Sequence, residues 1–368
     1  MKKRSSHGRK HTPADNGESK TTGGKGREVE GKVPRCIQSN SGWFMRIKKA
    51  LLALCIVYSS VPFVLRLFPG ILAHVVYSHT FRVPFFVDLG RPADLSLNHT
   101  VNFYLTPEEG VTVGVWHTVP DSRWKEAQGK DLAWYQESLK DGAPVIIYLH
   151  GNGGTRGVSH RVELMKVLTT AGFHVVALDY RGYGESTGHP SEAGLTMDAL
   201  YLYQWVKEHS GRSPVCLWGH SLGTGVATNT ALKLQEQGIA VDAVVLEAPY
   251  TNIREAGAYH PFGMIYWKFP YFDYFFLDTM ALNNLAFHND ENLKTMRSPL
   301  LILHAEDDRI VPFHMSQKLF QIAQQAQGLE QQVQMVPFSK SLGYSHNGIY
   351  KDPTLPNIIW KFLQPLMP

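Results

Sequence analysis

The most informative segment of the chain reads Val215-Cys216-Leu217-Trp218-Gly219-His220-Ser221-Leu222-Gly223-Thr224-Gly225. Its apolar first part leads into the pattern Gly-x-Ser-x-Gly, and a helical pattern follows over residues 224–235. This order of strand, sharp turn and helix is that of a nucleophile elbow, in which glycines let the backbone double back around an exposed serine hydroxyl. The helix N-terminus also favours the negative charge that develops during acyl transfer. The segment therefore predicts that Ser221 is a nucleophile.

Apolar runs and helical patterns alternate on both sides of this segment. After a leading β region at residues 85–89, 100–105 and 111–118, buried strands are predicted at residues 144–149, 173–178, 215–218, 240–246, 299–303 and 332–336. Helices are predicted at residues 161–170, 196–208 and 224–235. This alternation indicates a doubly wound, mostly parallel sheet, whose ligand site lies beyond the carboxyl ends of the strands. Together with the elbow it predicts the α/β-hydrolase fold over residues 81–368.

The composition is that of a globular protein whose charge is unevenly distributed. The 368 residues are 43% hydrophobic and 18% charged. Residues 1–49 hold 13 Lys and Arg against 4 Asp and Glu, whereas the remaining residues hold 23 against 28. A mildly acidic folded part does not offer the basic stripe that nucleic-acid binding requires. The three cysteines, Cys36, Cys55 and Cys216, provide neither a disulfide framework nor a metal-ligand cluster.

The N-terminal part combines a basic tail with an apolar run. Residues 1–44 have almost no apolar periodicity and are predicted to be a disordered tail, rather than a nuclear-localisation signal. Residues 50–65 are 16 residues without a charge, and continuing to Phe68 gives 19. At ~1.5 Å per residue, this length is close to the ~30 Å hydrocarbon core. We therefore predict one membrane span within residues 45–72; a buried or interfacial helix is the alternative.

The charges beside this run predict its orientation. Arg46, Lys48 and Lys49 precede it, so the tail should stay cytosolic and the following domain should cross the membrane. Asn98-His99-Thr100 is a glycosylation sequon, which fits a lumenal or extracellular domain.

A serine nucleophile needs an acid and a base, which should follow it in the order Asp or Glu, then His. The apolar strand at 299–303 is followed by Glu306, Asp307 and Asp308. Residues 305–311 fit the pattern small-x-x-Asp-x-x-Val that commonly follows this strand, so we select Asp308 and keep the other two as alternatives.

The predicted base is His346, which lies about ten residues past the last strand in the loop Ser345-His346-Asn347-Gly348. His304 and His314 compete with it on residue type, and position and order favour His346. His150 and His220 flank the predicted oxyanion loop and the nucleophile, where we expect them to support loop geometry.

Two backbone amides should stabilise the oxyanion. One belongs to Leu222, the residue after the nucleophile, and the other to the loop after Gly151, where Asn152 is the candidate. The glycines at 151, 153 and 154 allow this loop a close approach to the substrate. Phosphate cradling is disfavoured, because the loop has neither a Walker lysine nor a GxGxxG pattern.

An aromatic-rich insertion is predicted at about 250–293. Residues 259–276 contain ten aromatic side chains among 18 residues, together with Pro261 and Pro270. Core packing is one interpretation. A lid that forms an acyl-chain pocket, or a surface that dips into lipid, is the preferred one.

From about residue 44 to the C-terminus, the chain resembles the α/β-hydrolase domain-containing protein 12 family of membrane-anchored lipases, which cleave lysophosphatidylserine and monoacylglycerols. The membrane segment makes it more similar to protein 12 than to protein 12B. The resemblance rests on residues 82–89, 114–120, 149–152, 179–182, 218–229, 289–292 and 342–344.

The resemblance implies a Ser221, Asp308 and His346 triad and a glycan on Asn98. It also implies a single-pass endoplasmic-reticulum protein with a lumenal catalytic domain. The chain departs from the family pattern at residues 152–154, where Asn-Gly-Gly replaces Asn-Ala-Gly, and in the loop before His346, which is one residue shorter. Three arginines could pair with a substrate phosphate, although we expect them to be ordinary surface residues: Arg156, Arg161 and Arg309.

These observations predict a serine lipase that acts on a lipid substrate at a membrane, with neither a metal nor an organic cofactor. A thioesterase or peptidase using the same triad is one alternative. A non-catalytic scaffold that keeps the hydrolase fold is another.

Overall fold

The computed structural model describes residues 41–327 and 333–367. Most of the predicted tail therefore lies outside the described residues, as does residue 332 of the last predicted strand. By internal contacts the chain divides into two units, Met1–Cys55 and Ile56–Pro368, and the second contains the whole sheet.

The described part begins with a long apolar helix, α1 (Ser41–Leu67), which includes the last four residues of the predicted tail. Among the described residues, its segment Gly42–Leu67 is the one helix long and apolar enough to cross a membrane, and its most apolar window of 18 residues has a mean hydropathy of 2.0. Pro62 lies inside α1 without ending it. Pro69 opens a second helix, α2 (Pro69–Tyr77), because proline fits the first turn of a helix.

The predicted strand at 85–89 is wrong, because this segment is a loop. Phe86 has a φ of +63°, which an extended strand does not allow, and its side chain is fully exposed. The preceding backbone bonds to another loop instead of to a strand: the Thr155 amide donates to the Val83 carbonyl at 3.0 Å. Apolar side chains in this segment therefore do not mark a sheet element.

The other predicted strands belong to one eight-stranded sheet with the order β1-β2-β4-β3-β5-β6-β7-β8. The pairs β1-β2 and β2-β4 are antiparallel and all other pairs are parallel, so the predicted mostly parallel sheet is confirmed. The strands are β1 (Thr100–Glu108), β2 (Val111–Thr118), β3 (Val145–Leu149), β4 (His174–Asp179), β5 (Val215–His220), β6 (Ala243–Glu247), β7 (Leu300–Ala305) and β8 (Val333–Phe338).

Helices cover both faces of the sheet, and each face has its own core. Along β3, residues 145, 147 and 149 belong to one core and residues 146 and 148 to the other, as expected for a strand buried on both faces. Between β2 and β6 the chain forms four helices: α3 (Leu132–Ser138), α4 (Ser159–Thr170), α5 (Glu192–His209) and α6 (Leu222–Glu236).

The segment between β6 and β7 is built from short helices and carries the aromatic residues. It contains α7 (Ile253–Tyr259), α8 (Pro261–Tyr266), a π-helical turn (Asp273–Leu277), α9 (Asp278–Leu282) and α10 (Asn289–Thr295). Tyr266, Phe275 and Phe276 form an aromatic cluster that also includes Leu65 of α1. Two helices that the sequence did not predict close the fold: α11 (Phe313–Gln327) and α12 (Leu355–Leu363).

Candidate active site

Ser221 lies at the sharp turn between β5 and α6, with a φ of +52°. The turn requires its two glycines: a Cβ on Gly219 would lie 2.3 Å from the Gly223 carbonyl oxygen, and one on Gly223 would lie 2.0 Å from the Leu149 carbonyl oxygen. The Ser221 amide donates to the Glu247 carbonyl at 3.0 Å. The close packing that the two glycines allow and this hydrogen bond together hold Ser221 in its strained backbone conformation.

The structure brings Ser221, His346 and Asp308 together at the carboxyl edge of the sheet. Nε2 of His346 lies 3.0 Å from Oγ of Ser221, and Nδ1 of His346 lies 2.7 Å from Oδ2 of Asp308. All three residues are buried. This is the hydrogen-bond geometry that activates a serine hydroxyl.

The alternative acids and bases occupy other positions. Glu306 is exposed, and His314 is a half-exposed residue 4.0 Å from Glu255. Asp307 accepts a hydrogen bond from the Ser345 amide at 2.9 Å and so anchors the loop that carries His346.

Asp308 is held in its ionised form by four donors. Burial alone would raise its pKa, but hydrogen bonds from His304 and His346 hold the pKa well below its usual value. Nε2 of His304 lies 3.2 Å from Oδ2, and the amides of Ile310 and Val311 donate to Oδ1 at 2.8 and 3.0 Å. An ionised Asp308 can orient the His346 ring and stabilise its protonated form. His304 therefore contacts the acid and not the nucleophile, a position that residue type alone could not reveal.

Leu222 and Asn152, the predicted oxyanion donors, line the same cleft as Ser221. Leu222 is the first residue of α6, where an amide has no acceptor inside its own helix. The loop of Asn152 approaches closely, since a Cβ on Gly151 would lie 3.0 Å from Cβ of Ser221.

Arg161 donates hydrogen bonds to the backbone carbonyls of this loop. Its guanidinium donates to the carbonyls of Gly153, Thr155 and Gly151 at 2.8, 2.9 and 3.3 Å. Nδ1 of His150 lies 2.7 Å from the same Gly151 carbonyl. The Gly151 carbonyl and the Asn152 amide belong to one trans peptide and point in opposite directions. Arg161 and His150 therefore fix the orientation of the predicted oxyanion donor.

The expectation of surface arginines is wrong for Arg156 and Arg161, which are 0% and 3% exposed. Arg156 donates to Asp179 at 2.6 Å and to Asn102 at 2.7 Å, and it also pairs with Glu185. Because Asp179, Glu185 and Asn102 bind its two terminal nitrogens and the side chain is fully buried, Arg156 is not available to a substrate phosphate. Arg309 is exposed, as expected.

Two further buried residues contact the site. Nε2 of His220 donates to the His346 carbonyl at 3.1 Å, and burial keeps the pKa of His220 well below its usual value, so the ring is neutral. Glu247, which the sequence analysis did not single out, ends β6 and accepts a hydrogen bond from Trp218 at 2.9 Å. Burial raises the pKa of its carboxyl group to about 7. The only signal in the sequence was its place directly after an apolar strand.

A cleft of about 100 Å³ opens beside Ser221. Its walls are mostly apolar and come from α2, through Leu72 and Val76, and from the insertion, through Phe262, Phe276 and Met280. The Ser221 hydroxyl thus lies in a cavity whose lining is mostly apolar, as expected of a site for an acyl chain.

Comparison with known proteins agrees with the observed fold. A family model for the alpha/beta hydrolase fold matches residues 144–261. Among solved structures, the esterase Pf2001 of Pyrococcus furiosus is similar in fold, with a TM-score of 0.56 at 19% identity over 78% of this chain and 96% of that one.

Two curated relatives are much more similar in sequence. Lysophosphatidylserine lipase ABHD12 of Danio rerio is 51% identical over 343 residues, which cover 93% of this chain and 88% of that protein. Protein ABHD12B of Homo sapiens is 51% identical over 289 residues, which cover 78% of this chain and 79% of that protein. We conclude that the chain is a hydrolase of the ABHD12 family, more similar to ABHD12 than to ABHD12B.

Proposed function

We propose that the protein is a membrane-anchored serine lipase that hydrolyses the acyl ester of lysophosphatidylserine and of monoacylglycerols. The observation that carries the proposal is the hydrogen-bonded chain from Ser221 through His346 to Asp308, placed at the base of an apolar cleft.

The residues act in two half-reactions. His346 takes the proton of the Ser221 hydroxyl as Oγ attacks the ester carbonyl, and the amides of Asn152 and Leu222 bind the oxyanion. The tetrahedral intermediate collapses, the ester C–O bond breaks, and His346 protonates the departing alcohol. A water molecule, deprotonated by His346, then attacks the acyl-enzyme and releases the fatty acid and free Ser221. Asp308 stabilises the protonated imidazole throughout.

The substrate assignment rests on two supports. The Danio rerio relative is named a lysophosphatidylserine lipase, and its similarity extends over 93% of this chain. The cleft is a single apolar cavity beside Ser221, which suits a lipid with one acyl chain.

We further propose the following organisation in the membrane. Residues 1–44 lie in the cytosol, the segment 45–72 contains the one span of the endoplasmic-reticulum membrane, within α1, and the catalytic domain 81–368, with its lid at about 250–293, lies in the lumen. Asn98 has an exposed side chain directly before β1, which supports a glycan there. Loss of an endoglycosidase-sensitive gel shift in Asn98→Gln tests this topology, and a wild-type protein that never carries the glycan would contradict it.

A fluorophosphonate probe tests the catalytic assignment. Wild-type protein should be labelled and Ser221→Ala should not, whereas an unlabelled wild type would favour the non-catalytic scaffold.

A substrate panel then separates the lipase from other chemistry on the same triad. Lysophosphatidylserine, other lysophospholipids, monoacylglycerol, acyl-CoA and an acyl-peptide are compared under the same conditions. Faster hydrolysis of acyl-CoA or of the peptide would overturn the lipase proposal while leaving the triad intact.

A further inference from the structure

The uncharged run of α1 is short for a helix that spans a membrane. The 16 uncharged residues 50–65 extend about 24 Å as a helix, less than the ~30 Å thickness of the hydrocarbon core. For α1 to span the membrane, all 16 of these residues must therefore lie within the hydrocarbon core, including those from Tyr58 onward.

This same part of α1 is in contact with the lid. The rings of Tyr58 and Tyr266 stack with centroids 4.6 Å apart, and the Tyr58 hydroxyl donates to the Ile265 carbonyl at 3.1 Å. The rings of Phe63 and Phe275 meet edge to face at 4.7 Å.

The contact continues to the end of the helix. Leu65 is 4% exposed and belongs to the lid's aromatic cluster. The guanidinium of Arg66 lies 4.2 Å from the ring centroid of Tyr274 and 3.5 Å from the hydroxyl of Thr279. From Tyr58 to Arg66, the contact extends about 12 Å along the helix axis.

The outward surface of the lid is apolar beside this contact. Four side chains that do not line the cleft are largely exposed: Met264 is 58%, Ile265 60%, Trp267 66% and Tyr271 80% exposed. The nearby ammonium of Lys268 lies 5.6 Å from the Trp267 ring, an arrangement typical of a membrane interface, where lysine reaches toward water and tryptophan toward lipid. A lid facing water would expose this apolar surface at a cost.

The cleft lies on the other side of the same aromatic cluster. Phe262 and Phe276 line the cleft and also belong to the cluster that contacts α1. The site that holds an acyl chain is thus separated from the surface of α1 by the aromatic side chains of the lid.

We propose that residues 261–276 are embedded in the leaflet on the catalytic-domain side, so that the acyl chain passes from the bilayer into the cleft without crossing water. The proposal rests on the proposed function, since it takes a lipid ester as substrate. Bilayer lipid, and not a protein partner, covers the exposed apolar surface of residues 261–276. The argument for lipid is that the lid packs directly against the membrane-spanning helix.

Photo-crosslinking of the full chain in phosphatidylcholine nanodiscs tests the position of the lid. With a phosphatidylcholine that carries a diazirine in its acyl chain, peptides from residues 261–276 should be labelled together with α1, and the exposed surface of α12 should not. Labelling confined to α1 would overturn the proposal. So would crosslinks between the lids of two copies, formed at the exposed Lys268 by a bifunctional amine-reactive reagent in the same nanodiscs, which would indicate a protein interface.

A double variant of the lid tests whether its contact with lipid matters for activity. Ile265→Ser with Trp267→Ser should lower hydrolysis of bilayer-presented lysophosphatidylserine by about tenfold, since membrane attachment scales with buried apolar area. Hydrolysis of a water-soluble short-chain ester should stay within about twofold of wild type, because neither residue lines the cleft. Trp124→Ser is the matched control, since Trp124 is a 48% exposed tryptophan outside the lid.

The two proposals fail in different ways. If wild-type protein neither reacts with fluorophosphonate nor hydrolyses the short-chain ester, the lipase assignment fails. If it does both, but the lid variant and Trp124→Ser behave alike on bilayer substrate, the lipase assignment stands and the embedded lid is rejected.

Discussion

Single residues in this site act through hydrogen bonds that can be changed one at a time. Asp308 and Asp307 are adjacent, yet Asp308 contacts His346 at 2.7 Å while Asp307 holds the Ser345 amide at 2.9 Å. Asp308→Asn should lower kcat on a short-chain ester by about 10³- to 10⁴-fold, because an amide cannot stabilise the imidazolium. Asp307→Asn is the control, since its amide oxygen still accepts from Ser345. Equal losses in the two variants would mean that Asp308 is not the acid.

Arg161 is a positioning residue, because it binds the loop that carries the Asn152 amide. Replacing it should slow reactions that depend on the oxyanion donors. Arg161→Met should slow the fluorophosphonate reaction by about 10- to 100-fold, as expected for a displaced oxyanion donor, and Arg161→Lys should recover part of the rate. The thermal midpoint of each variant shows whether it is folded, and Arg309→Met provides an exposed control. A folded Arg161→Met that reacts at the wild-type rate would show that the carbonyl contacts are only structural.

Glu247 makes the stability of the domain depend on pH. Burial raises its pKa from 4.5 to about 7, so the folded state favours the protonated form. The stability due to this group is fully present below pH 4.5 and is lost as the pH rises through about 7. Glu247→Gln keeps an acceptor for Trp218 and should be more stable than wild type at pH 8, by up to about 3 kcal/mol, but not at pH 4.5. Thermal unfolding at both pH values measures the difference, and a gain that is equal at both would contradict the assignment.

The residues of the triad could be predicted because each one follows a strand in a known order. Ser221 lies in the pattern Gly-x-Ser-x-Gly after β5, Asp308 lies in the pattern small-x-x-Asp-x-x-Val after β7, and His346 follows β8. His304 and Arg161 could not be predicted in the same way. Their roles depend on which carboxylate or carbonyl the fold brings within 3.3 Å, and no local pattern encodes that distance.

At the scale of elements, the buried parallel strands were predictable because both their faces are apolar. The loop at 85–89 shows the limit of this reasoning, since exposed and buried phenylalanines look alike in sequence. The helix α11 has buried residues at 315, 319 and 323, a spacing of about one helical turn that could have predicted it.

The contact between α7 and α8 gives a test of the lid as a wall of the cleft. A Cβ on Gly263 would lie 2.1 Å from the Gly257 carbonyl oxygen, so Gly263→Ala must move one helix away from the other. We expect the ratio of long-chain to short-chain ester hydrolysis in detergent to fall by about tenfold, since overpacking distorts the acyl site but not the triad. Gly70→Ala is the control, because a Cβ there meets nothing within 4 Å. An unchanged ratio in Gly263→Ala would show that this contact does not shape the acyl site.

For the whole molecule, the sequence predicted the order of the parts better than their contacts. Within the described residues, an apolar helix and an α/β sheet follow one another as composition and periodicity indicated. The packing of the lid on Tyr58 and Leu65 joins residues more than 200 positions apart, which periodicity cannot register.

The orientation of the molecule should depend on the charges that flank its apolar helix. Arg46, Lys48 and Lys49 lie immediately before the uncharged run, and positive charge close to a span is retained in the cytosol. Replacing all three with Glu should reduce the fraction of protein glycosylated at Asn98 to below about half, because part of the population would insert with the catalytic domain in the cytosol. Replacing three exposed lysines of the domain, at positions 125, 130 and 140, with Glu changes the net charge equally and should leave glycosylation complete. The endoglycosidase-sensitive gel shift measures both. If the two triple variants are glycosylated to the same extent, flanking charge does not determine the topology, and folding of the catalytic domain in the lumen is the stronger constraint.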